Sequence, residues 1–206
     1  MGFNSIALYI DHFEDSAEIA RRAAYVEALT DEIAKFDFEH VMFRCAGNFA
    51  SYTDKTIYFE DMSRVVRQYI NTLTYDFDSV AIGTEDINAT RTYKNEWKSV
   101  IDDIRLIYSG PIVSVSYVNQ LETLSFAEYV DYLGFDVYPA LTYNPEINKL
   151  SSQELEEEFW VRGELEKVYN YCVTNNKKAF IIESGVTPYK LSYTGPGSWQ
   201  TGVDLG

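Results

Sequence analysis

The feature that most constrains the fold of this chain is a regular alternation of short apolar strands with longer amphipathic helices. The predicted strands lie at residues 3–10, 40–46, 79–88, 111–118, 132–140 and 178–185, and the third turns polar before it ends. Strands that are apolar along most of their length and separated by helices are typical of a parallel sheet with helices packed over it.

Apolar spacing and capping residues predict the helices between these strands. Asp15 and Glu18 have the spacing of a capping box, which opens the first helix. Its apolar face follows the helical period and consists of Ile19, Ala23, Val26, Leu29, Ile33 and Phe36. Further helices are predicted at about 60–73, 93–107 and 125–129, and a second capping box at Ser151 and Glu154 opens a long acidic helix to about 171 or 175.

Two architectures have this pattern, an open doubly wound sheet and a (β/α) barrel. An open sheet normally carries a glycine-rich phosphate loop after an early strand, and neither G-x-G-x-x-G nor G-x-x-x-x-G-K-[ST] occurs here. A barrel instead places polar side chains at the C-terminal ends of successive strands. All six predicted strands end in this way, with Asp11 and His12, Arg44 and Asn48, Glu85, Asp86 and Asn88, Tyr117 and Asn119, Asp136 and Tyr138, and Glu183.

We therefore predict an α/β fold, a TIM-barrel-like parallel barrel that forms one domain over residues 1–206, with 186–206 as an irregular tail. A closed barrel of this type has eight strands and typically about 250 residues. Six recognisable strands therefore predict a partial barrel. Because an incomplete barrel leaves two strand edges unpaired, we expect the tail, a partner chain or the second subunit of a homodimer to cover them.

The composition narrows the class of ligand. With 32 acidic and 17 basic residues the chain has a net charge of −15, which would repel nucleic acid and an anionic membrane surface. We expect neither as a partner, and a neutral ligand is compatible with this charge. Cys45 and Cys172 lie far apart in apolar segments, and His12 and His40 are isolated, so we expect two buried thiols, no metal site and no cofactor.

The N-terminal segment has no basic leader, and its apolar run is too short for a signal peptide or a membrane span. This predicts a cytoplasmic protein if the chain is complete. If the chain was excised from a longer secreted protein, the expected location is extracellular.

Two carboxylates carry the prediction of function. Glu85 and Glu183 both directly follow a buried strand, and parallel strands would open both onto one face. Cleavage of a glycosidic bond requires two such acids, one to protonate the leaving oxygen and one to attack the sugar or activate water. A structural reading stays open, in which Glu85 is an acid at a helix N-terminus and Glu183 forms an ion pair with a residue such as Arg44.

Three motifs resemble those of a known family. GTE at 83–85, YLGFDVYPAL at 132–141 and FIIESGV at 180–186 are similar, in the same order, to motifs of the retaining clan A glycoside hydrolases, closest to the β-mannanases of glycoside hydrolase family 113. The resemblance implies that Glu85 is the acid/base and Glu183 the nucleophile. It also implies that Tyr138 hydrogen-bonds the nucleophile and that Asn119 lines the sugar site.

The other predicted sugar-binding residues are Tyr117, Asp136, Asn48, Arg44 and Trp199. Trp199 is assigned as a stand-in for the aromatic platform of the eighth strand. The resemblance is good over 79–186 and weak over the first 78 residues; the first and eighth strands are missing, and Thr84 stands where many members have Asn.

The leading hypothesis is therefore a retaining, β-mannanase-like glycoside hydrolase that acts on a β-linked polysaccharide or oligosaccharide by a two-glutamate double displacement. The alternative, suggested by the missing strands, is a catalytically inactive or truncated barrel that serves as a carbohydrate-binding or structural module.

Overall fold

The structure, a computed structural model, describes residues 5–11, 15–84, 86–137, 164–184, 189–190 and 203–204. It describes the backbone alone at residues 11, 137, 164, 183, 184, 189, 190, 203 and 204.

Six strands form one parallel sheet, and their order in the sheet is their order in the chain. They are β1 (Ser5–Asp11), β2 (His40–Ala46), β3 (Ser79–Gly83), β4 (Ile112–Tyr117), β5 (Tyr132–Val137) and β6 (Lys178–Ser184). Every neighbouring pair is parallel. All six predicted strands are therefore confirmed, although the polar half of the predicted third strand lies beyond β3.

The described helices are α1 (Ser16–Ile33), α2 (Lys55–Thr72), α3 (Ile87–Thr92), α4 (Lys94–Arg105) and α5 (Glu164–Asn175). Two 3₁₀ helices, Phe49–Ser51 and Val118–Thr123, follow β2 and β4. The part of the predicted acidic helix before residue 164 lies outside the described residues.

Four details of the predicted helices were wrong. Helix α1 ends at Ile33, before Phe36; Leu29 and Phe36 are exposed, and Thr30 takes an inward position. Helix α2 begins five residues earlier than expected, because Asp54 caps it. A separate short helix, α3, precedes α4. Residues 125–129 form turns, and the helical segment of this connection is the 3₁₀ helix before them.

The apolar side chains divide between the two faces of the sheet. The larger cluster lies between the sheet and the helices, and its fully buried members include Phe43, Val80, Ile82, Ile112 and Leu133. A smaller cluster lies on the opposite face and contains Met42, Ala81, Val113 and Val115, with Tyr132, Phe180 and Ile182 packed against it. Burial of both faces explains why the strands read as continuous apolar runs.

Contacts across the smaller cluster show that the sheet is strongly curled. The rings of His40 in β2 and Phe180 in β6 stack with centroids 5.2 Å apart. In a flat sheet, strands four places apart would be separated by roughly 19 Å. The small cluster is therefore the interior of a barrel, and the structure confirms the predicted partial TIM barrel with helices outside it.

The remaining described elements are minor. Tyr189–Lys190 (β7) and Val203–Asp204 (β8) form a short antiparallel pair within the predicted tail. Cys45 and Cys172 are buried free thiols, as predicted. Within the described ranges, no helix is both long and apolar enough to cross a membrane.

Candidate active site

The C-terminal ends of β1 to β6 lie at one end of the barrel, because all six strands are parallel and adjacent. In barrels of this type that end carries the active site. The polar residues predicted at the strand ends therefore belong to one rim.

Gly83 ends β3, two positions before Glu85. Its φ of +145° lies in a region that favours glycine. A Cβ at this position would lie 2.4 Å from the backbone oxygen of Val115 in the neighbouring strand β4. The glycine of the GTE motif is therefore required by a close approach of two backbones at the rim.

Contacts fix the chain on both sides of position 85. The phenol of Tyr58, on α2, donates to the Gly83 carbonyl at 3.4 Å, and the Thr84 hydroxyl hydrogen-bonds the same phenol. Thr84 Oγ1 also accepts from the Asp86 backbone N–H at 3.2 Å. Asp86 in turn caps α3, accepting from the N–H groups of Asn88 and Ala89. The chain is thus anchored at Gly83 and Thr84 before position 85 and at Asp86 after it.

Tyr58 makes these contacts as a protonated phenol. Burial is the main reason that its pKa is raised well above the ordinary value for tyrosine. The phenol is therefore a hydrogen-bond donor across the neutral pH range.

An ion pair crosses the barrel interior below the rim. Arg44 Nη2 in β2 lies 3.1 Å from Asp136 Oδ2 in β5, and the two side chains are 7% and 0% exposed. The Tyr9 ring lies under the Arg44 guanidinium, with 5.3 Å between Cζ and the ring centroid. The attraction between the two side chains offsets the cost of burying both charged groups inside the barrel.

A row of register partners runs across the rim from β4 to β6. Tyr117 pairs with Asp136, and Asp136 pairs with Glu183. The β5–β6 register shifts just before this point: Phe135 pairs with Ile181, whereas Asp136 pairs with Glu183. Such a bulge places two residues of one strand opposite one of the other and redirects the chain. Because of this bulge, Glu183 and not Ile182 is the register partner of Asp136.

Other predicted site residues lie further from this row. The Asn48 side chain is exposed and caps the first 3₁₀ helix by accepting from the Ala50 N–H at 3.1 Å. Asn119 is exposed and lines an open groove of about 440 Å³ between the second 3₁₀ helix and α5, together with Glu122, Lys167 and Asn170. Glu85, Tyr138 and Trp199 lie outside the described residues.

Two residues at this rim were not singled out from the sequence. Tyr58 lies on the buried face of α2 and reads as a core residue, and no sequence signal separates it from Tyr69 on the same face. Tyr9 is 56% exposed and is the register partner of Arg44. Its position in an alternating strand opposite a polar residue could have indicated that it faces the interior.

These features define a class of protein. A curled parallel sheet covered by helices, with acidic residues following two of its strands, is the arrangement of barrel glycoside hydrolases that use paired carboxylates. The chain belongs to Glycoside Hydrolase Family 113, whose sequence model matches residues 31–205. This match confirms the resemblance found in the sequence, and with it the glycoside hydrolase class.

Solved structures of this family share the fold. The GH113 β-mannanase AaManA from Alicyclobacillus acidocaldarius, solved in complex with ManMIm, superposes with a TM-score of 0.64 at 15% identity, over 97% of this chain and 66% of that one. Two further structures, each of a GH113 β-1,4-mannanase, give TM-scores of 0.65 and 0.62 at 15% and 16% identity. They cover 98% of this chain and 68% and 67% of their own.

This chain therefore spans about two thirds of the length of the solved mannanases. A comparison with curated protein sequences gives no match.

Proposed function

We propose that this chain provides the catalytic centre of a retaining glycoside hydrolase that cleaves β-linked mannan-type polysaccharides or oligosaccharides. The family supports the reaction class, and the β-mannanases among its structural neighbours support the choice of substrate. The reaction needs no cofactor, because two carboxyl groups supply both the acid and the nucleophile.

In the proposed first step, the Glu183 carboxylate attacks the anomeric carbon while the Glu85 carboxylic acid protonates the glycosidic oxygen. The glycosidic bond breaks, the leaving sugar departs as an alcohol, and a glycosyl ester forms on Glu183. In the second step the Glu85 carboxylate takes a proton from water. The water oxygen attacks the anomeric carbon and releases Glu183, which restores both groups and retains the configuration.

One observation carries this proposal: side chains from strands three places apart meet in this barrel. Arg44 in β2 and Asp136 in β5 are three strand steps apart, and their charged atoms lie within 3.1 Å. Glu85 follows β3 and Glu183 lies in β6, which is the same number of steps. A glutamate side chain is shorter than an arginine side chain, so two glutamates should come less close than Arg44 and Asp136 do. A separation of about 5 to 5.5 Å between the two carboxyls, the distance in retaining enzymes, is consistent with this curvature.

The ion pair and the register shift support the choice of Glu183 as the nucleophile. Asp136 is its register partner, and Asp136 is paired with Arg44. The nucleophile of a retaining enzyme must be ionised, and a cation near a carboxylate favours that form. We propose Tyr138, Asn119, Tyr117, Asn48 and Trp199 as sugar-binding residues, and Arg44 and Asp136 as the charged floor of the site.

The test uses two conservative variants and two substrates. We expect Glu183→Gln to abolish hydrolysis of β-mannan and of an aryl β-mannoside, while its circular dichroism spectrum stays that of the wild type. Glu85→Gln should lose mannan hydrolysis but keep turnover of an aryl mannoside whose phenol leaves without protonation, and azide should accelerate that turnover. Unchanged mannan hydrolysis by Glu183→Gln would refute the assignment.

A second candidate function follows from the open sheet. Within the described residues β1 and β6 each pair with one strand, and Ile181 on the outer face of β6 is 51% exposed, whereas Phe43 and Val80 at comparable positions are fully buried. A barrel with such an edge could bind carbohydrate without catalysis, with a homodimer mate or partner chain covering the edge. Binding of mannan oligosaccharides by calorimetry, without hydrolysis, would favour this candidate.

A further inference from the structure

We infer that Tyr58 is a positioning residue for the proposed reaction: its phenol anchors the residues on either side of Glu85. The inference rests on the proposed function, since it concerns the acid/base of that reaction. It adds a residue from a helix outside the barrel, which neither the motifs nor the strand ends indicate.

The backbone before Glu85 requires an external anchor. Gly83 is in a φ region that most residues avoid, and its backbone is in close contact with Val115 of β4. Glycine has more conformational freedom than any other residue, so contacts from outside are needed to hold it in one conformation. On this side of the turn the surroundings include the Tyr58 phenol, which donates to the Gly83 carbonyl.

The same phenol also reaches the residue after Gly83. The Thr84 hydroxyl is buried and hydrogen-bonds Tyr58, and the Asp86 N–H donates to the same hydroxyl. Gly83, Thr84 and Asp86 are thus joined to one phenol, directly or through one intervening hydroxyl. Position 85 lies between two residues of this network.

Tyr58 itself is held firmly by its neighbours. It is fully buried, and its ring makes edge-on contacts with Phe49, Tyr52, Phe59 and Trp97 at centroid distances of 5.1, 5.5, 5.1 and 6.1 Å. A ring packed on several sides occupies one rotamer, so its hydroxyl is fixed in space. A rigid anchor of this kind can set the orientation of the peptide groups that it contacts.

The chain offers a matched control at the other end of the same strand. The Tyr108 phenol donates to the backbone carbonyl of Phe77 at 2.9 Å, just before β3 begins, and Tyr108 is also buried. Tyr58→Phe and Tyr108→Phe each remove one buried hydroxyl that bonds a carbonyl flanking β3. The two variants should lose similar stability, because the chemical change is the same.

The experiment measures steady-state hydrolysis by both variants on aryl β-mannosides with leaving groups of increasing pKa. We expect Tyr58→Phe to lower kcat by about tenfold to a hundredfold with little change in KM, and the loss to grow with the pKa of the leaving group, as for a misplaced general acid. Tyr108→Phe should keep the wild-type kcat on every substrate. A second variant, Thr84→Val, should reproduce the leaving-group dependence if Tyr58→Phe does not fold.

A readout independent of activity separates this inference from the proposed function. Hydrogen exchange of the Asp86 amide should accelerate in Tyr58→Phe and stay at the wild-type rate in Tyr108→Phe, because that amide donates to Thr84. If the wild-type protein were inactive but the Asp86 amide still exchanged faster in Tyr58→Phe, the anchoring role would stand and the proposed function would be refuted. Unchanged exchange in Tyr58→Phe, or equal kinetic losses in both tyrosine variants, would overturn the inference about Tyr58.

Discussion

The ion pair between Arg44 and Asp136 gives the sharpest prediction about stability. Its charged atoms are 3.1 Å apart, and neither side chain is more than 7% exposed. At an effective dielectric constant of about 20, two unit charges at this distance attract by about 5 kcal/mol. That attraction offsets the desolvation of both groups, so the loss of one partner should be far more costly than the loss of both.

We expect Arg44→Met to lower the free energy of unfolding by about 3 to 5 kcal/mol, because it leaves the Asp136 carboxylate buried without its cation. The double variant Arg44→Met/Asp136→Leu should recover most of this loss, since it removes both charges. The assay is urea denaturation followed by circular dichroism, with the two single variants and the double variant forming a cycle.

An exposed ion pair provides the control. Lys98 and Asp102 on α4 also form a close pair, but their side chains are 47% and 62% exposed. Lys98→Met should therefore change stability by no more than about 0.5 kcal/mol. The reasoning would be refuted if Arg44→Met cost as little as Lys98→Met, or if the losses of the two single variants simply added in the double variant.

Three further predictions concern the β3 strand and its surroundings. Gly83→Ala should lower stability by about 2 kcal/mol or more in thermal denaturation, because its Cβ would meet the Val115 carbonyl and its φ is unfavourable; a wild-type melting temperature would contradict the backbone geometry. Asp86→Ala should cost about 1 kcal/mol through loss of the α3 cap, and Asp86→Asn, which keeps the capping oxygen, should cost less. Burial raises the pKa of Tyr108 to about 12, so the folded state holds this proton more tightly than the unfolded chain. The resulting stability is present below about pH 10 and is lost as the pH rises toward 12. In urea titrations over that range, stability should fall less steeply in Tyr108→Phe than in the wild type.

The strands and their parallel order were predictable from the sequence because both faces of the sheet are buried. Each strand then appears as an apolar run, and β2 was predicted with the bounds that it has. Helix ends were harder, since they depend on single caps: Asp54 starts α2 inside a segment that reads as a polar loop. Phe36 fits the apolar period of α1, yet the chain turns before reaching it.

The candidate site was predictable only as a set of strand ends. The pairing of Arg44 with Asp136 and the register shift before Asp136 depend on how separate strands are brought together, which local patterns do not encode. The contact of Tyr58 with the end of β3 could not be predicted from the sequence either. Its place on an apolar helix face gives no sign that its hydroxyl reaches the end of β3.

The measurement that tests the central claim most directly is the distance between the carboxyl groups of Glu85 and Glu183 in an experimental structure. The proposed retaining mechanism requires about 5 to 5.5 Å, with both groups facing the interior of the barrel at its C-terminal rim. A separation of about 6.5 to 9.5 Å would indicate an inverting enzyme instead. A greater separation, or a Glu183 carboxylate directed away from Asp136, would contradict the account.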